Sequence, residues 1–378
     1  MQKPLVYKGR GSVSNATGRF EKQHNEAADD GWGSLDAELA SLKTEVIIDS
    51  SRSLINYNDS PDLPFDRSIN PYRGCEHGCI YCFARPTHAY LGFSPGLDFE
   101  SRILIKPDVA RLLREELSKK NYRCAPLALG TNTDPYQPLE RQHRLMRQIL
   151  EVLAETRHPV SIITKSSLIE RDLDLLSAMA EQGLVSVYLS ITTLDRTMAR
   201  TLEPRAAAPQ RRLETIAKLH AAGIPVGVMV APVIPALNDH EMEHIVKAAH
   251  SAGAASAEYI LLRLPLEVAD LFEEWLQHNY PLKADHVLNL IRQSRGGKSY
   301  DPAFHQRMSG TGSYADLISQ RFRLISKRLR MNQALPSLRT DLFRKPHLGG
   351  QMSFDFFDSK LETGRIGWGI TTCCRTIG

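Results

Sequence analysis

The run VSVYLSITT (185–193) carries Val, Tyr and Leu in its first half and ends on Ser, Ile and two threonines, with no charge throughout. Such a stretch reads as a strand buried on both faces, with polar groups at its C-terminal end. The same design recurs on either side, in LALGT (127–131), VSIITKS (160–166), VGVMVAPVI (226–234) and AEYILLRL (257–264). Between these runs the apolar residues take helical spacing: Leu145, Ile149, Leu150 and Leu153, then Ile216 and Ala217, then Met242, Ile245, Val246 and Ala249. Gly183, Gly223 and Gly253 each stand just ahead of the next strand, where a helix ends on a left-handed residue. With RSIN (67–70) as a first strand, the count is six βα units. The expectation is an α/β fold, a partial (β/α)6 TIM-like barrel or a strongly curved parallel sheet.

A sheet of that kind gathers its chemistry at the C-terminal ends of its strands. GTNTD follows the second strand, TKS ends the third, SITT ends the fourth, APVIPALND follows the fifth and Arg263 ends the sixth. Any one of these is ordinary turn or N-cap chemistry. Five on one rim point to a site.

The flanks are less regular. Residues 1–60 read as a polar leader, in which Trp32, Leu35, Leu39 and Leu42 are spaced for one short amphipathic helix. Residues 61–270 hold the barrel units, and residues 271–378 read as a C-terminal helical extension and tail. Arg321, Arg323, Lys327, Arg328, Arg330, Arg339, Arg344 and Lys345 crowd a stretch whose single acid is Asp341. That stretch reads either as a solvated face or as a nucleic-acid contact.

The chain has 378 residues, 42% apolar and 24% charged, with a formal charge of +4. The charge alone is too small to argue for nucleic acid. The N-terminus lacks the apolar core of a signal peptide. The longest uncharged apolar run, Ile224–Leu237, is too short to span a bilayer and contains three prolines. A cytoplasmic, reducing location is expected, in which clustered cysteines bind metal or act in catalysis rather than form disulfides.

Three of the six cysteines lie within eight residues of the stretch NPYRGCEHGCIYCFARPTHAY (70–90): Cys75, Cys79 and Cys82. Structural zinc takes four ligands, and no second pair is nearby. Three thiolates in one loop suit three corners of a [4Fe–4S] cube, leaving one iron open. Chance clustering of structural cysteines is the alternative. Gly74 and Gly78 allow a close backbone wrap, and His77 reads as a solvated loop histidine.

CxxxCxxC with Tyr81 just ahead of the third cysteine resembles the signature of the radical S-adenosylmethionine (radical SAM) superfamily. The likeness continues through KGRG, residues 60–90, GTNTDPYQPLE (130–140), ITKSSLIERDLDLL (163–176), EPRAAAPQRRLETI (203–216), GIPVGVMVAPVIPALND (223–239) and LLRLPLEV (261–268). These stretches resemble the group related to spore photoproduct lyase, often labelled DNA repair photolyase-like. The resemblance implies a partial (β/α)6 barrel and a [4Fe–4S] cluster on Cys75, Cys79 and Cys82. It also implies SAM at the open iron, cleaved to a 5′-deoxyadenosyl radical, and an electron donor such as flavodoxin or ferredoxin.

Many family members hold the methionine amine of SAM with a Gly-Gly-Glu strand end. This chain has Gly130-Thr131-Asn132-Thr133-Asp134 there, so Thr131, Thr133 and Asp134 are the implied acceptors. Lys165 and Ser190 match positions that hold the carboxylate. Tyr81 and the turn at Pro232 and Val233 are the implied adenine neighbours. Glu203 and Arg205 are expected either at the ribose or substrate, or as a helix-surface ion pair. The lyase of this group returns a hydrogen from a cysteine near GTNTD. No cysteine stands there: Cys124 precedes the strand, and Cys373 and Cys374 lie in the tail. Lesion reversal therefore does not carry over. Gln351–Phe357 resembles peptides that dock on the bacterial sliding clamp, a second expected link to DNA.

Overall fold

A computed structural model describes residues 9–21 and 42–346, all within one compact unit. All of the expected helix at Trp32–Leu42 except Leu42, which is not helical, lies outside the described residues, as do the clamp-like peptide at Gln351–Phe357 and Cys373 and Cys374.

Ten strands occur among those residues: β1 (Glu45–Ile48), β2 (Ile55–Tyr57), β3 (Arg67–Ile69), β4 (Tyr72–Arg73), β5 (Arg102–Ile105), β6 (Leu127–Leu129), β7 (Val160–Thr164), β8 (Val185–Ser190), β9 (Val226–Val233) and β10 (Ser256–Leu261). The main sheet runs β10-β9-β8-β7-β6-β3-β2, and only β2 is antiparallel to its neighbour. Its six parallel strands are the six read from the apolar runs, paired in sequence order. The ends of the sheet do not pair with each other, so it is an open parallel sheet and no closed barrel forms among the described residues.

The strands are apolar because both faces are covered. Val187, Leu189, Val228 and Val230 are buried, as are Ile149, Leu153, Ile216, Leu219, Ile245 and Val246 of the covering helices. Helix Ser313–Arg328 packs on helix Met242–Ser251 and on β10, with the Phe322 ring tilted against Tyr259 at 4.7 Å. The outer edge of β10 is blunted by C-terminal backbone: Ala257 N–H donates to Met331 and Leu261 N–H to Met308, at 2.9 and 2.8 Å. Gly183, Gly223 and Gly253 follow their helices with φ of 69°, 73° and 102°, as expected.

The described part of the leader is built into the fold. β1 pairs with β5 in a small second sheet that β4 completes, and β2 extends the main sheet. Arg10, Gly11 and Ser12 are buried against Glu100. Their partners are about ninety residues away in sequence, which is why local composition reads them as free chain. In the basic stretch, Arg321 pairs with Glu243 and Arg339 with Asp341, while Arg323, Lys327 and Arg328 are exposed. No helix among the described residues is long and apolar enough to cross a membrane.

Candidate functional site

The cysteine loop follows β4 and is fixed mainly through backbone. Cys75 N–H donates to Phe99 O at 2.9 Å, Ile80 N–H to Leu202 O at 3.1 Å and Cys82 N–H to Cys79 O at 3.2 Å. Gly78 takes the left-handed φ of 66°. A Cβ on Gly11 would lie 1.8 Å from the carbonyl oxygen of Gly78, so only glycine lets the leader pass there.

Two braces hold the loop from behind, and neither was singled out from sequence. Arg85, fully buried, donates to the carbonyls of Cys79, Gly78, Pro95 and Gly96 and pairs with the buried carboxylate of Glu100. Glu100 also accepts the N–H groups of Gly11 and Ser12, both at 2.9 Å. Gln137 accepts Glu76 N–H at 2.8 Å and donates to Gly74 O at 3.2 Å. Nothing in the local pattern marks an arginine, a glutamate or a glutamine as a brace, because the partner comes from another segment.

His77 is not the solvated loop residue expected. It is 2% exposed, and its Nδ1 lies 3.4 Å from Asp134 Oδ2. Asp134 also accepts from Thr164 Oγ and Lys165 N–H, both at 2.7 Å, and from Tyr136 N–H at 2.9 Å. Burial would raise its pKa. The charge and hydrogen bond of His77, with those backbone and hydroxyl donors, outweigh burial and hold it at about 2. Asp134 is thus a charged clamp between the ends of β6 and β7.

Cys75, Cys79 and Cys82 are free thiols lining one cavity of about 150 Å³. The cavity lies at the C-terminal ends of the parallel strands. Thr131, Asn132 and Asp134 reach it after β6, Lys165 after β7, Ser190 at the end of β8, Pro232 from β9 and Arg263 after β10. Tyr81 lines it from the loop. Thr133 does not line it: its hydroxyl is buried and donates to Tyr72 O at 2.9 Å. Thr131 and Thr133 are the same residue type two positions apart, so the sequence does not distinguish their roles.

Lys165 Nζ donates to Ser190 Oγ at 3.0 Å and lies 5.9 Å from the centre of the Tyr81 ring. Among the described residues it has no carboxylate partner. Glu203 is neither at the cavity wall nor in a surface pair. It is buried behind the site, accepting from Tyr81 Oη, Thr192 Oγ and Arg212, and Arg212 in turn donates to Ser190 O at 2.9 Å. Arg205 pairs instead with Glu76 at 2.9 Å.

Burial pushes all three thiols up: Cys75 well above its ordinary value, with Asp134 adding to it, Cys79 to about 12, and Cys82 to a lesser degree. Such thiols lose their protons when a metal cation takes the proton's place. Among the described residues, no three His, Cys, Asp or Glu side chains converge as a single bound ion requires. Three thiols ranged around one cavity instead fit a cluster in which each sulfur takes its own iron.

Known proteins resemble this chain in sequence and in fold. Residues 69–249 match the sequence model of the Radical SAM superfamily. An uncharacterized protein of Mycobacterium tuberculosis is 40% identical over 248 residues, 65% of this chain and 72% of that protein. A radical SAM Nalpha-GlyT isomerase of Pseudomonas phage M6 is 25% identical over 185 residues, 48% of this chain and 36% of that protein. In structure, the chain is similar to spore photoproduct lyase complexed with dinucleoside spore photoproduct. The TM-score is 0.54 at 16% identity, covering 75% of this chain and 79% of the lyase. The family match spans the cysteine loop and strands β6 to β9 of the cavity wall, and the chain belongs to the radical SAM superfamily, whose members use S-adenosylmethionine and a [4Fe–4S] cluster.

Proposed function

We propose that this chain is a radical SAM enzyme whose cluster is held by Cys75, Cys79 and Cys82 and whose SAM lies in the cavity beside them. The observation that carries this reading is Lys165. Its ammonium faces the three thiols' cavity with only the Ser190 hydroxyl as partner among the described residues, which suits the methionine carboxylate. When bound, the reduced cluster would supply the electron that cleaves SAM to a 5′-deoxyadenosyl radical.

The chain's own residues orient the cofactor and exclude water. Thr131, Asn132 and Asp134 offer oxygen acceptors to the amine, and Pro232 offers an apolar wall to the adenine. Asp134 acts at one remove as well, because it fixes the backbone of Lys165 at 2.7 Å. Tyr81 presents its ring to the cavity while its hydroxyl is held by Glu203. On this reading the six parallel strands, paired in sequence order, act as a partial barrel whose C-terminal rim carries the cavity. Free buried thiols suit a reducing compartment such as the cytoplasm, where flavodoxin or ferredoxin supplies the electron.

Nucleic acid is the substrate class this reading favours. It is supported by the likeness to spore photoproduct lyase and by the exposed Arg323, Lys327 and Arg328.

The test is anaerobic reconstitution with iron and sulfide, reduction, and addition of SAM. 5′-Deoxyadenosine should accumulate. A protein that carries stoichiometric zinc and yields none would sink the proposal. Lys165→Met is expected to weaken SAM binding about tenfold to a hundredfold, the size of one lost charge-assisted hydrogen bond. Calorimetry on the iron-loaded protein reads this. Unchanged affinity would remove Lys165 from the cofactor site.

A further inference from the structure

Arg263 follows β10 and lines the same cavity as the three thiols, at the sheet edge formed by the last parallel strand. Its guanidinium lies 4.3 Å from the centre of the Phe83 ring, next in sequence to Cys82. Its one hydrogen bond among the described residues is from Nη1 to Met308 Sδ at 3.4 Å, and thioether sulfur is a weak acceptor. No carboxylate pairs with it among those residues.

The neighbouring cations are already matched. Arg307 pairs with Asp62 at 2.7 Å. Arg295 donates to the carbonyls of Gln306, Leu261 and Leu262. SAM brings one carboxylate, and Lys165 at the other wall is placed to take it. Arg263 is then a half-buried guanidinium with no carboxylate of the protein or of SAM paired directly with it; Tyr300, Cys82 and Asp62, the last already held by Arg307, act on it only from further off. A guanidinium with no direct acceptor but a thioether suits an anion that arrives with the substrate.

The surroundings narrow its chemistry. Phe83 is 42% exposed. Phe304, 53% exposed, carries Arg307 5.0 Å over its ring, on the segment that Met308 ties to β10. A guanidinium free of carboxylates, set among partly exposed aromatic rings, matches a phosphate flanked by bases. An acidic peptide would use the cation and leave the rings idle.

We propose that Arg263 takes a phosphate of the substrate and that Phe83 beside it, with Phe304 on the adjoining segment, seats a nucleotide unit. This rests on the reading of the opposite wall as the SAM site.

The probes are a labelled single-stranded oligothymidylate and its methylphosphonate analogue, whose backbone is neutral, titrated into iron-loaded protein. Arg263→Gln should weaken oligothymidylate binding about tenfold and lower the slope of log affinity against log salt by about one. Arg263→Lys should fall between. The methylphosphonate should bind wild type weakly and be insensitive to either change.

Three results would overturn the proposal. One is equal binding of oligothymidylate by wild type and Arg263→Gln. Another is wild type that prefers oligoglutamate to oligothymidylate. The third is loss of SAM binding in Arg263→Gln with oligonucleotide binding intact, which would give the residue to the cofactor. If Arg263→Gln does not fold, wild type binding both backbones equally overturns it too, and Arg263→Lys supplies the residue-level comparison. 5′-Deoxyadenosine formation by wild type is scored separately. Its absence beside Arg263-dependent binding removes the SAM reading and leaves the phosphate site.

Discussion

Alanine at Cys79 is expected to give a folded chain that retains no cluster iron and forms no 5′-deoxyadenosine above a protein-free control. The loop does not depend on this sulfur for its shape. Cys79 O is held by Arg85, and its neighbours Ile80 and Tyr81 pack into the apolar cluster with Leu202, Phe272 and Trp275. Removing one buried sulfur should cost on the order of 1 kcal/mol, well within a domain's reserve. Among the described residues, however, the cavity has three thiols, and the histidine and carboxylate that also line it, His77 and Asp134, are paired with each other. Cys124→Ala is the matched control. Cys124 precedes β6, at the end of that strand remote from the cavity, and does not line it. Iron and sulfide content, visible absorption and 5′-deoxyadenosine should separate the two variants completely. Iron retention with turnover in Cys79→Ala, or equal losses in both, would refute the ligand assignment.

The sheet was legible because its central strands are covered on both faces, so they appear as short uncharged runs between turn residues. RSIN, LALGT, VSIITKS, VSVYLSITT, VGVMVAPVI and AEYILLRL all contain observed strands, and only their last one to three residues fall outside. The rim was legible for the same reason: once a strand's C-terminal end is known, so is the position of Lys165, Ser190 or Arg263. Supporting side chains were not legible. His77, Glu203 and Arg205 carry charge-bearing groups in loops, where exposure is the ordinary expectation. Their actual environments depend on Asp134, on Arg212 with Tyr81, and on Glu76, which only the folded chain brings near. Glu100 and Gln137 show the same limit. The leader strands β1 and β2 were missed because three or four residues are too few to establish a period.

Replacing Glu203 by alanine is expected to cost about 3–5 kcal/mol, the range for removing one partner of a buried ion pair. Glu203 and Arg212 are each about 1% exposed, so the guanidinium left behind has no route to water. Its remaining bonds go to the carbonyls of Ala207 and Ser190, at 2.7 and 2.9 Å, and neither supplies a counter-charge. Tyr81 Oη would lose its charged acceptor at the same time and keep only Thr192 Oγ, at 3.2 Å, loosening a ring that lies 5.9 Å from Lys165 Nζ. Acid should reproduce part of this effect in the wild type. Burial alone would raise the Glu203 pKa, but the charges of Arg212 and Lys165 and the hydrogen bonds to it lower it to about 2, from an ordinary value of 4.5. A pKa depressed in the folded state adds stability that is complete above 4.5 and disappears as pH falls through 2. The full contribution is about 3 kcal/mol, of which about 1 kcal/mol should be lost by pH 4. Glu203→Gln removes the titration while keeping the shape. Urea unfolding of the iron-free chain should therefore show a wild-type advantage over Glu203→Gln that is largest at pH 7 and narrows toward pH 4. An advantage that stays constant or widens on acidification would show that Glu203 is not held as a buried carboxylate. In that case Arg212 would need another counter-charge to keep Ser190 and Tyr81 in place around the cavity.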